Sequence, residues 1–160
     1  MSCDRRLLLT LLAALPLAAC GFTPAYAPQG GADTLSRAVQ VRAPVTRNDY
    51  MLTRQLETRL GRAVAADYLL DYTLTVQDER IAITANNITR RFNLVGRASY
   101  TLTTMDGTTV TRGTVDSFTG YSATGSTVAT RAARADAEER LTTILADQIV
   151  TRLIAAASAT

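Results

Sequence analysis

The sequence predicts an α+β fold, a two-layer sandwich of order β-α-β-β-β-α in which two helices pack on one face of a four-stranded mixed sheet. Three observations predict it. Apolar residues recur at helical spacing in two stretches, Leu52-Leu56-Leu60-Val64 and Ala133-Ala137-Leu141-Ile144-Leu145-Ile149-Leu153. They alternate with polar residues in the stretches between and before, and all four prolines lie at or before position 44, so nothing interrupts the later elements. A chain of 160 residues, 47% hydrophobic and 19% charged, has room for one domain with one core.

The elements follow in order. Val39, Val41, Ala43 and Val45 alternate with Gln40, Arg42 and Pro44, a short half-buried strand that ends at a proline. Asn48 is placed to cap the first helix, whose stripe Leu52-Leu56-Leu60-Val64 leaves Arg54, Glu57, Arg59 and Arg62 outside it. Tyr68, Leu70, Tyr72, Leu74 and Val76 then give one face of a second strand. The run Asp78-Glu79-Arg80 breaks the alternation and Ile81 and Ile83 resume it with opposite parity, as one bulged residue would cause. Ala85-Asn86-Asn87 reads as a loop. Phe92, Leu94, Ala98, Tyr100 and Leu102 mark the third strand, and Asp106-Gly107 is a two-residue hairpin signal leading into a fourth strand from about Thr108 to Tyr121. Thr fills 15 of the 60 positions from 71 to 130, a β-branched bias suited to strands. The last helix spans about Ser126 to Ala157, with Arg134–Glu138 and Asp136–Arg140 at i,i+4 spacing and an end expected to fray in Ala155-Ala156-Ala157.

Ahead of this domain, Asp4-Arg5-Arg6 precedes an apolar run, Leu7 to Leu17, of ~11 residues, too short to span a bilayer and broken by Pro16. It ends in Leu17-Ala18-Ala19-Cys20-Gly21, the pattern of a lipoprotein signal-peptidase site. The expectation is a signal peptide over residues 1–19, a lipidated Cys20 with a tether through residue 35, and a single domain over 36–157. Gly21, rather than Asp, follows the cysteine, which by resemblance to bacterial lipoproteins favours the outer membrane. Two or more acyl chains hold a protein on a membrane essentially permanently.

Composition then narrows the chemistry. The 17 basic residues are all Arg, there is no His, and the only two cysteines lie in the first 20 residues. Without His the usual acid/base side chain at neutral pH is missing, and without Lys there is no Ser-Lys pair. No thiol is left in the domain for metal, disulfide or nucleophile. Asp78-Glu79 and Glu138-Glu139 are neighbours whose side chains diverge on a strand or helix, unlike a glycosidase dyad. Gly120 and Gly125 lack the spacing of a phosphate loop. After residues 1–19 are removed, 15 Arg stand against 13 acidic residues, a net charge of +2, too small and dispersed for nucleic acid. The expectation is no enzyme, no metal and no cofactor beyond the lipid on Cys20.

Two surface features remain. Arg80, Arg90 and Arg91 flank one loop and could donate bidentately to phosphate, although a solvated loop is the blander reading. The Asp106-Gly107 turn sets Arg97 opposite Asp116, Val95 opposite Phe118, Thr103 opposite Val110, Ala98 opposite Val115 and Phe92 opposite Tyr121. One side then carries Phe92, Leu94, Ala98, Tyr100, Leu102, Val115 and Tyr121 for the helices. The other carries Val95, Arg97, Thr101, Thr103, Val110, Arg112, Thr114, Asp116 and Phe118, a polar face with some apolar content, read either as solvated or as a docking surface for a wet partner.

Three stretches resemble the lipopolysaccharide-assembly lipoprotein family LptE, in its alphaproteobacterial form. They are Cys20-Gly21-Phe22-Thr23-Pro24-Ala25-Tyr26, the run from Val39 to Leu60, and Tyr121 to Ser126 leading into Arg134 to Leu141 and Leu145 to Ile149. The resemblance implies a non-catalytic outer-membrane lipoprotein, facing the periplasm and the lumen of an LptD-like β-barrel, that assists insertion of lipopolysaccharide into the outer leaflet. It also implies a four-stranded sheet with two helices on one side. Lipopolysaccharide is a candidate ligand; the basic residues credited with binding it in relatives have no motif match here, so Arg80, Arg90 and Arg91 are candidates from this sequence alone. The barrel-facing candidates are Val95, Arg97, Thr101, Arg112, Thr114 and Phe118. The alternative is an accessory lipoprotein of another envelope lipid ABC transport system.

Overall fold

The computed structural model describes residues 30–83, 89–123 and 125–158. The elements are α1 (Gly31–Leu35), β1 (Val39–Val41), α2 (Arg47–Leu60), β2 (Tyr68–Ile83), β3 (Thr89–Thr104), β4 (Thr109–Ser122) and α3 (Thr127–Ala157). The sheet order is β1-β2-β3-β4, with β1 parallel to β2 and the other neighbours antiparallel. The sheet is therefore mixed, and α2 and α3 cover one of its faces, as expected.

The core forms where the helix stripes meet that face. Leu52, Leu56 and Leu60 of α2 and Ala137, Leu141, Leu145, Ile149 and Leu153 of α3 close over Leu70, Tyr72, Leu94, Ala98, Tyr100, Leu102 and Val115. Gly96 is required there: a Cβ would come within 2.9 Å of Leu141 Cδ2 and 3.0 Å of Leu145 Cδ1. Three buried hydroxyls are matched, as groups held away from water must be. Thr119 Oγ1 donates to the Ala137 carbonyl at 2.9 Å, Tyr72 OH donates to the Asp49 carbonyl at 3.0 Å, and the Tyr72 hydroxyl also meets Thr53 Oγ1 at 2.8 Å. Burial pushes the Tyr72 phenol up from its ordinary value.

Several local expectations are corrected. The first helix is capped by Thr46, not Asn48: Asp49 N–H donates to Thr46 Oγ1 while the Asp49 carboxylate accepts from Thr46 N–H, a reciprocal box that Asn48 cannot make from inside the helix. That helix ends at Leu60 because Gly61 turns to φ 76, so Val64 leaves the stripe and is 85% exposed. Ile144 also falls off its stripe. The tether expected through residue 35 is interrupted by α1, whose Leu35 is buried; residues 20–29 lie outside the described residues, with the signal segment and Cys20. The bulge in β2 is present, between Arg80 and Ala82, and the loop at Ala85-Asn86-Asn87 is outside the described residues.

The β3–β4 pairs Arg97/Asp116, Val95/Phe118, Ala98/Val115 and Phe92/Tyr121 are as expected. Nearer the turn the register shifts: Thr103 pairs with Thr109, not Val110, and Val110 packs against the core instead of lying on the uncovered face. The cause is a three-residue turn. Thr104 N–H donates to the Thr108 carbonyl at 2.9 Å, leaving Met105, Asp106 and Gly107 between them, with Gly107 at φ 91. One bulged step then restores the register.

Candidate interaction surface

The uncovered sheet face is built by strand parity. Odd positions of β2 and β3 and even positions of β4 point away from the helices through the stretch that pairs regularly. It carries Thr73, Thr75 and Gln77 from β2, then Val95, Arg97 and Thr101 from β3 opposite Phe118, Asp116 and Arg112 from β4. Ser99 and Thr114 hydroxyls meet across β3 and β4 at 3.0 Å. Phe118 is 64% exposed beside half-buried Val95. Arg97 and Arg112 are exposed and have no ion-pair partner among the described residues, so their guanidinium groups are available to an incoming acceptor. A depression of about 400 Å³ lies between Thr75, Gln77, Glu79, Val95, Arg97 and Asp116. The six candidate residues Val95, Arg97, Thr101, Arg112, Thr114 and Phe118 thus share one surface.

The arginine candidates do not share one. Arg80 pairs with Phe92 and follows the helix-covered parity of β2, whereas Arg91 lies on β3 with the uncovered parity. Both are exposed at the same end of the sheet; the Arg90 side chain is outside the described residues.

Sequence patterning missed a neighbouring polar network, since its members are distant in the chain. Asp78 accepts from Tyr121 OH and from Arg134 Nη2, both at 2.9 Å, and Arg134 also lies 3.6 Å from Glu138. Partial burial, then the hydrogen bond and charge of Asp78, push the Tyr121 phenol up. Desolvation opposes charge on Arg134, but Asp78 and Glu138 outweigh it and raise its pKa. The Tyr121 ring stacks on Phe92 at 5.2 Å. This network ties β2, β4 and α3 together. Among the described residues no three metal-ligating side chains converge, and no described helix is long and apolar enough to cross a membrane.

A mixed four-stranded sheet with one face under helices and the other free is the architecture of a class of bacterial lipoprotein domains. A lipoprotein-type protein from Caulobacter crescentus CB15 is similar at 25% identity and TM-score 0.67, over 81% of this chain and 98% of that one. The fold also matches rare lipoprotein B from Shewanella oneidensis (10% identity, TM-score 0.57, 74% and 92% covered) and a minor lipoprotein from Acinetobacter baumannii (16%, 0.53, 73% and 88%). No curated protein matches the chain. Residues 36–153 match the model of the LptE lipopolysaccharide-assembly family, and the chain belongs to that family.

Proposed function

We propose that this chain is a lipid-anchored, non-catalytic subunit that docks its uncovered sheet face against an LptD-type outer-membrane β-barrel and assists insertion of lipopolysaccharide into the outer leaflet. The supporting observation is the asymmetry of the sheet. One face is consumed by the helices, while the other presents hydroxyls, two arginines with no ion-pair partner among the described residues and one exposed aromatic ring. Barrel lumens are polar and wet, so a subunit seated inside one needs hydrogen-bonding side chains with modest apolar content. Cys20 carries the anchor in this reading, and the exposed Arg80 and Arg91 at the far end of the sheet would meet lipopolysaccharide phosphates.

The test is Phe118→Asp combined with Val95→Asp. The two carboxylates would face each other across β3 and β4, costing the free domain up to ~1 kcal/mol, because water still solvates them. Against a barrel wall they lose that water, and the complex should dissociate faster. Thermal melting of the isolated variant and co-purification with the barrel are measured together. Undiminished co-purification of a folded variant would show that the face is not used.

A further inference from the structure

The two borders of the sheet are unlike. β4 has arginines of α3 laid across it: Arg140 and Arg152 donate to the Gly120 and Thr114 carbonyls. β2 is open over most of its length. β1 pairs with only Tyr68, Leu69 and Leu70, and one further bond, from Arg42 N–H to the Leu70 carbonyl at 2.9 Å, ends the ladder. Pro44 follows, with no N–H to continue it. The chain from Ala43 to Arg47 is exposed and, among the described residues, makes no backbone hydrogen bond to β2.

Strand geometry decides which groups are left. Tyr68 N–H and the Leu70 carbonyl bond on the β1 side. By alternation the N–H and C=O groups of Leu74, Val76 and Asp78 point the same way, and the odd residues between them bond β3. The Arg42 side chain lies over the Tyr72 ring, so the open run starts at Leu74, and the bulge after Arg80 ends it. Over Leu74-Thr75-Val76-Gln77 no charged side chain, proline or bulge blunts this edge.

The flank above the edge is basic. Arg134, bonded to Asp78 of β2, borders a depression of about 260 Å³ that Arg47, Arg131, Ala135 and Glu138 also line. Glu138 is shared between Arg134 at 3.6 Å and Arg47 at 3.8 Å, while Arg131 is exposed and has no ion-pair partner among the described residues.

We propose that the open edge of β2 takes an added strand from another polypeptide, an extended segment with acidic side chains at alternate positions. Its backbone pairs with Leu74, Val76 and Asp78, and its acidic side chains rise on the helix side to Arg131 and Arg47. Main-chain bonds give such a contact its affinity and the alternate side chains its specificity. A second copy of this chain is the poorer occupant, because pairing two β2 edges brings two sets of the same arginines together. The barrel reading uses the face of the sheet and this strand its border, so neither depends on the other.

The test uses the full chain in detergent with a blocked peptide of alternating valine and glutamate, and its valine–lysine counterpart. The glutamate peptide should bind several-fold more tightly. On binding, hydrogen exchange should slow at the Leu74, Val76 and Asp78 amides and stay unchanged at Thr73, Thr75 and Gln77, whose amides already bond β3. Val76→Pro removes a donor that the fold leaves unused, so this variant should melt near the parent and bind several-fold more weakly. Arg131→Glu should weaken the glutamate peptide alone, and carries the test if the proline variant does not fold. No binding, equal affinity for the two peptides, or binding without slowed exchange at Leu74, Val76 and Asp78 would overturn the proposal. So would a chain that sediments as a dimer without peptide and as a monomer with Val76→Pro, since the edge would then belong to a second copy.

Discussion

Gly96 offers a sharp test of how α3 is seated. A Cβ there meets Leu141 Cδ2 at 2.9 Å, Leu145 Cδ1 at 3.0 Å and Leu141 Cγ at 3.2 Å. Both leucines are 0% exposed, so neither can swing into solvent. Gly96→Ala therefore combines two opposed effects. Restricting the unfolded chain stabilises by ~0.4–1 kcal/mol, while overpacking a filled core costs ~1–3 kcal/mol. The net should be a loss of about 1–2 kcal/mol. Leu141→Ala alone should cost ~2–5 kcal/mol through lost burial and the cavity left behind. In the double variant the new methyl points into that cavity, Leu145 Cδ1 at 3.0 Å gains the room to shift aside, and with the overpacking relieved the chain-entropy gain survives. Gly96→Ala should then stabilise the Leu141→Ala background by ~0.4–1 kcal/mol, a reversal of sign and a coupling well above the ~0.3–0.5 kcal/mol of independent sites. Urea denaturation of the three variants with unchanged m-values measures it. Additive losses would mean that Leu141 does not lie over Gly96.

Cys20→Ser should abolish incorporation of a fatty-acid analogue in cells; retained label on the variant would place the lipid elsewhere. Arg80→Ala and Arg91→Ala should each weaken lipopolysaccharide binding, with independent effects because they follow opposite strand parities, and that binding should fade as salt above 0.1 M brings the screening length below ~10 Å; unchanged binding in an Arg80, Arg90, Arg91 triple Ala variant would leave the loop merely solvated. The raised Tyr72 and Tyr121 phenols favour the neutral form in the folded state, so their contribution is intact below the ordinary value of 10.0 and lost as pH rises through the raised values. Urea midpoints should fall above that pH, and a midpoint that stays level there would contradict the burial of both rings.

The layers were legible from sequence because periodicity reports burial directly. Leu141, Leu145 and Ile149 could only face a core, and the alternation from Tyr68 to Val76 could only be a half-covered strand. The candidate face followed from the same parity, since one hairpin register assigns every side chain on two strands. What periodicity does not carry is local hydrogen-bond competition. Thr46 and Asn48 are both good caps by residue type; Asp49, three residues after Thr46, decides between them by completing the box. Asp106-Gly107 signalled a turn but not whether Met105 belonged to it, and that single residue turned Val110 from the uncovered face to pack, partly buried, against the core. Five residues of α1 are too few to show a helical period, so Leu35 gave no signal until its burial was seen.

The sheet edge bears on how a partner can bind. β4 is 14 residues long and lies at the sheet's border, the arrangement that invites another chain to add a strand. Two arginines of α3 reach over it: Arg140 Nη2 donates to the Gly120 carbonyl at 3.2 Å and Arg152 Nη1 to the Thr114 carbonyl at 2.6 Å. An added strand would have to displace both side chains before its own N–H groups could reach those acceptors. Arg140 is further held by Asp136 at 2.9 Å, which stiffens the obstruction. The fold thus guards this edge and leaves the adjoining face uncovered, so contact through side chains such as Arg112 and Phe118 is favoured over strand addition at β4. A barrel wall, whose strands are already paired to one another, can offer side chains from its lumen but no free strand edge. That is the kind of partner a guarded edge and an open face would suit.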